Sequence, residues 1–289
     1  MSHKRQQTGD RGKDIVVLYH GDCPDGFGGA WVAWKKFGSR ARYVGLFDRK
    51  KLPMLIENKK EVYLIDWIYD DPNIMKGLCR DNKRVIGIDH HIGVKKILEN
   101  MPGSVFDTTH SGAMLAWKYF FPKRKPPQLL RYVEDYDIWK FALKDTAAVA
   151  NVISGRKMDF EEWSKLAREL ENPASRKRII ETGRILLAEK KRIVLKLAGG
   201  AEPVILMGYK VFAANSPVFR NEIGHELALR KPPFAIIWWQ EGKQMRISFR
   251  ANKPFNLLTA LKKLRARGHP QAASIIWPLN KPLPWRRTG

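Results

Sequence analysis

The chain has 289 residues, 44% of them hydrophobic and ten of them tryptophan, which is enough for a sizeable core in two modest domains or one large one and excludes a largely disordered chain. A formal net charge of +24 favours a polyanionic partner, most simply nucleic acid. No apolar run approaches the roughly 20 residues of a membrane span, residues 1–13 contain no apolar signal segment, and two cysteines exclude a disulfide framework, so a cytoplasmic protein without membrane association is expected.

In chain order, residues 14–19 (DIVVLY) read as a strand buried on both faces, followed by a glycine-opened helix over 26–37. Residues 41–47 form a second expected strand, and 61–65 (EVYLI) a third that ends at Asp66. A helix over 72–80 is predicted from Pro72 in the first turn, with Asp70 or Asp71 as its cap. Residues 84–88 (RVIGI) give a fourth strand, 110–121 a helix stopped at Pro122, and 127–133 the start of another. Helices are expected over 159–197 with a break at Asn172-Pro173, the second of them long, basic on one side and ended by Gly199-Gly200. Strands are then expected over 203–207, 209–214, 234–240 and 244–249, with a hairpin turn at Glu241-Gly242, and helices over 219–229 and 257–267. The alternation in the first half predicts an α/β fold with a mostly parallel, doubly wound sheet, joined to a smaller C-terminal α/β domain. The expected organisation is a flexible tail (1–13), a catalytic domain (14–174), a connecting helix (175–199), a substrate-binding domain (200–280) and a second tail (281–289).

Candidate chemistry gathers at strand ends. The first strand leads into His20, Asp22, Cys23 and Asp25, the third into Asp66, and the fourth into Asp89-His90-His91. In a parallel sheet these ends share one rim, where ligands bind. So many carboxylates in one place repel one another, and divalent cations resolve the repulsion. Cys23 sits among these acids, and a thiol there is more often a bystander. Mixed Asp and His ligands suit Mn²⁺, Zn²⁺ or Fe²⁺, whereas Mg²⁺ prefers oxygen. Ligands this numerous fit two ions, and a pair roughly 3.5–4 Å apart can clamp a phosphoryl group and activate water.

With these motifs the chain resembles the DHH-superfamily phosphoesterases, which include RecJ-type exonucleases, nano-RNases, cyclic-dinucleotide-pathway phosphodiesterases and manganese pyrophosphatases. The resemblance carries His20, Asp22 and Asp25 as the first motif, Asp66 as the second and Asp89-His90-His91 as the third. The spacing His20-x-Asp22-x-x-Asp25 departs slightly from the RecJ and nano-RNase forms. The family needs one more aspartate. Val133-Glu134-Asp135-Tyr136-Asp137 offers Asp135, which follows an apolar-x pattern as in RecJ-type members, with Asp137 as the alternative. The resemblance also carries Arg250 (in Ile247-Ser248-Phe249-Arg250) and the Gly268-His269 loop as holders of a phosphate or terminal nucleotide, in a DHH-associated C-terminal domain. Ser111, in the loop opening the helix after residue 110, is a further substrate-binding candidate, against the plain reading of a helix cap. From Lys231 to the end there are twelve Lys and Arg against one acid, Glu241, so the basic surface falls in this second part.

The implied activity is Mn²⁺-dependent hydrolysis of phosphodiester or phosphomonoester bonds in short or single-stranded oligonucleotides or nucleotides, with Mg²⁺ as the other metal. In the implied arrangement His20, Asp22 and Asp66 hold one ion and Asp25, Asp66, His90 and Asp135 the other. A bridging hydroxide attacks phosphorus, His91 meets the phosphate, and Asp89 orients an imidazole from behind. The site is expected in a cleft between the two domains. Pyrophosphate or polyphosphate hydrolysis, and a non-catalytic nucleic-acid-binding protein, are the alternatives, and a homodimer is compatible with the sequence. Trp31, Trp34, Trp117, Trp139, Trp238 and Trp239 are core candidates; Trp139 also offers a face on which a base can stack.

Overall fold

The computed structural model describes residues 13–21, 23–47 and 59–288. The chain divides into two compact units, the second beginning at Ala188.

In the first unit, five strands pair in parallel: β1 (Ile15–His20), β2 (Ala41–Leu46), β3 (Glu61–Ile65), β4 (Arg84–Asp89) and β5 (Val105–Phe106). Their order is β2-β1-β3-β4-β5, so the winding reverses between β1 and β3. The crevice at the carboxyl ends of those two strands is the switch point where open α/β sheets bind ligands. The strands read as continuous apolar runs because both faces are covered. One face packs against α1 (Pro24–Phe37) and later helices through Trp31, Leu129 and Trp163; the other buries Leu18, Leu64 and Ile68 with Met75 and Leu78 of α2 (Pro72–Asp81). Asp71 caps α2 by accepting from the Asn73 amide at 2.8 Å. A single 3₁₀ turn over 92–94 and α3 (Lys95–Glu99) follow β4 and were not expected, and neither was the two-residue β5.

The helix α4 (Gly112–Phe120) begins two residues later than the sequence pattern implies, because Ser111 is its cap. Then come α5 (Gln128–Asp137), α6 (Thr146–Ser154), α7 (Phe160–Glu171, capped by Asp159) and α8 (Pro173–Gly199). The Asn172-Pro173 break separates α7 from α8 as expected, whereas α6 was not anticipated. Trp31 is fully buried and its indole N–H donates to Ser164 Oγ at 3.0 Å. Trp139 is no core residue: it is 42% exposed.

The second unit is a seven-stranded mixed sheet, β10-β11-β9-β8-β7-β6-β12. It comprises β6 (Glu202–Leu206), β7 (Tyr209–Asn215), β8 (Phe234–Glu241), β9 (Gln244–Ala251), β10 (Arg267–His269), β11 (Ala272–Pro278) and β12 (Arg286–Arg287), with α9 (Arg220–Arg230) crossing between the parallel pair β7 and β8. The helix expected over 257–267 stops early. Only α10 (Leu257–Ala260) and one 3₁₀ turn form before Arg265 adopts left-handed backbone (φ 54) and turns the chain into β10. The segment 281–289 is not a loose tail throughout, since β12 pairs with β6 and Trp285 is buried. Among the described residues no helix is long and apolar enough to cross a membrane.

Candidate metal centre

Three strand ends and two helices deliver one cluster. His20 closes β1, and its Nδ1 lies 3.2 Å from Asp66 Oδ2. Asp66 follows β3 in the left-handed region (φ 56), anchored by its amide donating to Ile88 O at 2.9 Å. Such a conformation at a non-glycine residue is strained, and strain of this kind collects at functional sites. Here it turns the carboxylate out of the strand alternation and into the crevice. Asp89 ends β4, fully buried; its Oδ1 accepts from the amides of His90 (2.6 Å) and His91 (2.8 Å) and from His91 Nδ1 (2.7 Å). That clasp fixes the His91 imidazole and the backbone that carries His90. His90 Nε2 lies 3.4 Å from Asp66 Oδ1, 3.5 Å from Asp137 Oδ2 and 3.9 Å from Asp25 Oδ2.

Asp25 comes from the first turn of α1 and accepts from the amides of Gly112 (2.7 Å) and Ala113 (2.9 Å) at the start of α4, where unpaired helix N–H groups favour an anion. Gly112 is required there: a Cβ would lie 2.8 Å from Asp66 Cβ and 3.0 Å from Asp25 Oδ2. Gly26 is similarly tight, its missing Cβ falling 2.3 Å from His20 O.

The electrostatics are those of a site built for cations. Burial and the neighbouring Asp66 push the Asp25 carboxyl up to about 6. Asp137 is pushed up by desolvation and by Asp25, although its side chain is 31% exposed. Burial opposes ionisation of Asp66 too, but its partners His20 and His90 override this and hold it well below the carboxylate range. Burial would lower His90, yet Asp66, Asp137 and Asp25 raise it to about 10. His91 moves the same way, burial being outweighed by its bond to Asp89. The raised pKa values of Asp25, Asp137 and His90 mark positions where a divalent cation would compete with protons. Asp66 Oδ1 and Asp89 Oδ2 are buried with no partner in hydrogen-bond geometry among the described residues, although His90 Nε2 and His91 Nδ1 lie 3.4 and 3.5 Å from Asp66 Oδ1. Orphaned carboxylate oxygens are costly unless something satisfies them. Donor atoms of His20, Cys23 and Asp66, of Asp25, His90 and Asp137, and of Asp66, Asp89, His90 and His91 lie within 4.8 Å of one another in each group. The residues present therefore fit divalent metal.

The structure corrects one expected ligand. Asp135 does not reach the cluster; its carboxylate accepts from Ala142 N (2.9 Å), Leu143 N (3.0 Å) and Thr146 Oγ1, fastening the α5–α6 connection. Asp137, two residues on and about 200° around the helix, faces His90 instead. Ser111 is fully buried, caps α4 and hydrogen-bonds Asp25, so it is a structural partner rather than a substrate contact. Asp22 lies outside the described residues. Cys23, set aside in the sequence, stands inside the cluster: its Sγ is 3.1 Å from His20 Nδ1 and 3.3 Å from Asp66 Oδ2. Its position between His20 and Asp25, at the mouth of a helix, was the available signal.

In the second unit, Arg250 on β9 donates to Asn221 Oδ1 (3.0 Å from Nε), Ser248 Oγ (2.7 Å) and Phe249 O (2.8 Å). Burial and the neighbouring Arg220 lower it to about 10. No carboxylate among the described residues forms an ion pair with it. His269 pairs with Ala272, which pairs in turn with Arg250, so the two basic side chains share one face with a methyl group between them. Gly268 has φ 136, and a Cβ on it would meet Ala272 O at 2.3 Å.

No model of a known protein family matches the chain. It is 28% identical over 247 residues to an uncharacterised protein of Acanthamoeba polyphaga mimivirus, covering 77% of this chain and 57% of that protein, so the chain spans a little over half the length of this curated relative. Among solved structures, an exopolyphosphatase-related protein from Bacteroides fragilis matches with a TM-score of 0.53 at 11% identity, covering 94% of this chain and 89% of that one. The pGpG-specific phosphodiesterase PggH from Vibrio cholerae matches at 0.50 and 12% (92% and 94% covered), and exonuclease RecJ bound to manganese at 0.50 and 14% (91% and 85%). The chain shares the fold of these structures, a five-stranded parallel unit followed by a mixed-sheet unit.

Proposed function

We propose that the chain is a divalent-metal-dependent phosphoesterase acting on the phosphodiester or phosphomonoester bonds of short or single-stranded oligonucleotides and nucleotides. One observation carries the reading: imidazoles and carboxylates from two other strand ends and two helices converge on a buried Asp66 whose Oδ1 has no partner in hydrogen-bond geometry among the described residues. Asp25, His90 and Asp137 would hold one cation and His20 a second, with Asp66 between them. Manganese suits this mixture of nitrogen and oxygen donors, with magnesium the alternative. Bound cations would neutralise charge on the phosphoryl oxygens and lower the pKa of water, which is the chemistry that hydrolysis needs.

The chain's own residues do the positioning. Asp89 holds the His91 imidazole and the His90 backbone amide, and the α4 amides hold Asp25. His91, whose pKa burial would lower but its bond to Asp89 raises, would meet a substrate phosphate. On the second unit, Arg250 and His269 would offer donors to a phosphate or a terminal group. Beside Asp137 stand Trp139 and Phe141, with ring centroids 4.9 Å apart, and Tyr136 is 5.7 Å from Trp139. Such an exposed aromatic group can stack a base.

Hydrolysis of a short RNA, a short DNA, a dinucleotide, a nucleotide bisphosphate and pyrophosphate should be compared with Mn²⁺, with Mg²⁺ and with chelator. Mn²⁺-dependent cleavage of the nucleotidic substrates, lost in Asp66→Asn, is the expected outcome. Preference for pyrophosphate would replace the substrate class, and binding of oligonucleotide without hydrolysis of any substrate would leave a non-catalytic module.

A further inference from the structure

We propose that Cys23 is a thiolate ligand of the cation position proposed above for His20, which makes the two positions chemically unequal. The inference rests on the metal-centre reading and extends it. Cys23 Sγ, His20 Nδ1 and Asp66 Oδ2 form a nearly equilateral triangle with edges of 3.1, 3.2 and 3.3 Å. Sulfur, nitrogen and oxygen held about 2.0–2.3 Å from a tetrahedral ion stand roughly 3.3–3.6 Å apart. The triangle is therefore close to three corners of a tetrahedron.

A second observation points the same way. Asp66 turns Oδ2 to the thiol and His20, while its other oxygen, Oδ1, faces His90 at 3.4 Å and is buried with no partner in hydrogen-bond geometry among the described residues. One carboxylate is thus spread between two donor groups, and only one of those groups contains sulfur. The competing account is that Cys23 merely caps α1, since the Gly26 amide donates to Sγ at 3.2 Å. Capping alone does not explain the choice of residue, because Asp, Asn, Ser and Thr cap better than a thiol. It also leaves unexplained why the sulfur lies against two other ligand atoms. Coordination breaks the S–H bond, forms the metal–sulfur bond and releases the proton to solvent.

The consequence is a division of labour. The Cys23 position selects borderline and soft ions such as Zn²⁺, Fe²⁺ or Co²⁺, and the Asp25–His90–Asp137 position selects harder ions such as Mn²⁺ or Mg²⁺. The full chain carrying Cys79→Ser, which removes the exposed second thiol, serves as the reference protein. Titration with Co²⁺ or Cd²⁺ should produce a thiolate-to-metal charge-transfer band in the ultraviolet. That band should vanish in the additional Cys23→Ser variant, which keeps a capping oxygen. Cys23→Asp should restore two-ion binding without the band and lower the ratio of Zn²⁺ to Mn²⁺ affinity at least about tenfold. Two ions bound to the reference protein with no thiolate band, or a band that survives Cys23→Ser, would overturn the proposal and leave the metal-centre reading standing. No ion bound to the reference protein would overturn both.

Discussion

Exchanging the roles of Asp135 and Asp137 gives a test that separates fold from chemistry. Asp135 is buried, and two backbone amides as well as Thr146 depend on its carboxylate. In Asp135→Ala, Thr146 Oγ1 can still donate to Leu143 O at 3.0 Å, so the loss falls on the Ala142 and Leu143 amides. A hydrogen bond to a charged acceptor contributes about 1.5–3 kcal/mol, which for two orphaned amides gives a destabilisation of about 3–5 kcal/mol after some relaxation. For a chain of this size that is a fall of roughly 10 °C in Tm. Asp137→Asn should behave in the opposite way. Its carboxylate is crowded by Asp25 and raised in pKa, so replacing it with a neutral isostere should leave the metal-free protein within about 1 kcal/mol of wild type, or slightly more stable. It should instead lose one bound ion. Unfolding in chelator reads the first effect, and metal content after gel filtration reads the second. If Asp135→Ala lost an ion at unchanged stability while Asp137→Asn kept both, the assignment of the two aspartates would be wrong.

Metal affinity should rise with pH. In the metal-free protein His90 holds its proton up to about 10 and Asp25 up to about 6, so a cation must displace the first at neutral pH and both in acid. Mn²⁺ affinity should therefore climb up to about tenfold per unit between pH 7 and 9, with proton release seen by calorimetry in two buffers; a flat profile would refute the displacement. The same shifts set the stability of chelated protein. The contribution of His90 is complete below its ordinary value near 6.5 and is lost as pH rises through about 10, whereas that of Asp66, whose pKa is lowered, is present above its ordinary value of 3.8 and lost in strong acid. Gly112→Ala should weaken metal binding by at least about tenfold and cost about 1–3 kcal/mol, because the new methyl group meets Asp66 and Asp25, and unchanged metal titration would contradict this. Arg250→Ala should raise KM for a nucleotidic substrate about 10- to 100-fold, the equivalent of about 1.5–3 kcal/mol of charged hydrogen bonding, with ion content unaltered. Trp139→Ala should raise KM for a dinucleotide but not for pyrophosphate, which offers no base to stack; equal effects on both would remove the stacking role.

What could be read from the sequence followed from physics that acts locally. The strands β1, β3 and β4 are buried on both faces, so each is a nearly unbroken apolar run, and the residue where the run stops marks the rim of the sheet. His20, Asp66 and Asp89 were legible for that reason. The break at Asn172-Pro173 was legible because proline cannot continue a helix. What failed depends on partners distant in the chain. β11 has no distinctive pattern until it lies beside β9, and 257–267 keeps helical composition although Arg265 and Gly268 turn it into a strand. Asp135 and Asp137 are equally good carboxylates on the same helix, and only the packing of α5 decides which one faces His90.

Cys23 reads as a bystander among acids in the sequence, and what brings it to the cluster is the shortness of the turn that carries it. It is the cap of α1, two residues before Asp25, on a helix that starts four residues after His20 closes β1. A chain leaving a strand and entering a helix in so few residues must bring its cap and first-turn side chains to the strand end, whatever those side chains are. The turn therefore brings both a thiol and a carboxylate to Asp66, with Sγ 3.3 Å from Oδ2 and Asp25 bonded to the amide of Gly112, which packs against Asp66. Left-handed Asp66 is the pivot between them. Because one carboxylate must face both groups, any change in the ion held at the thiol position is transmitted through Asp66 to the position lined by His90 and Asp137. The two positions are accordingly expected to bind with mutual dependence, so a Cys23 variant should alter Mn²⁺ affinity at the position it does not touch.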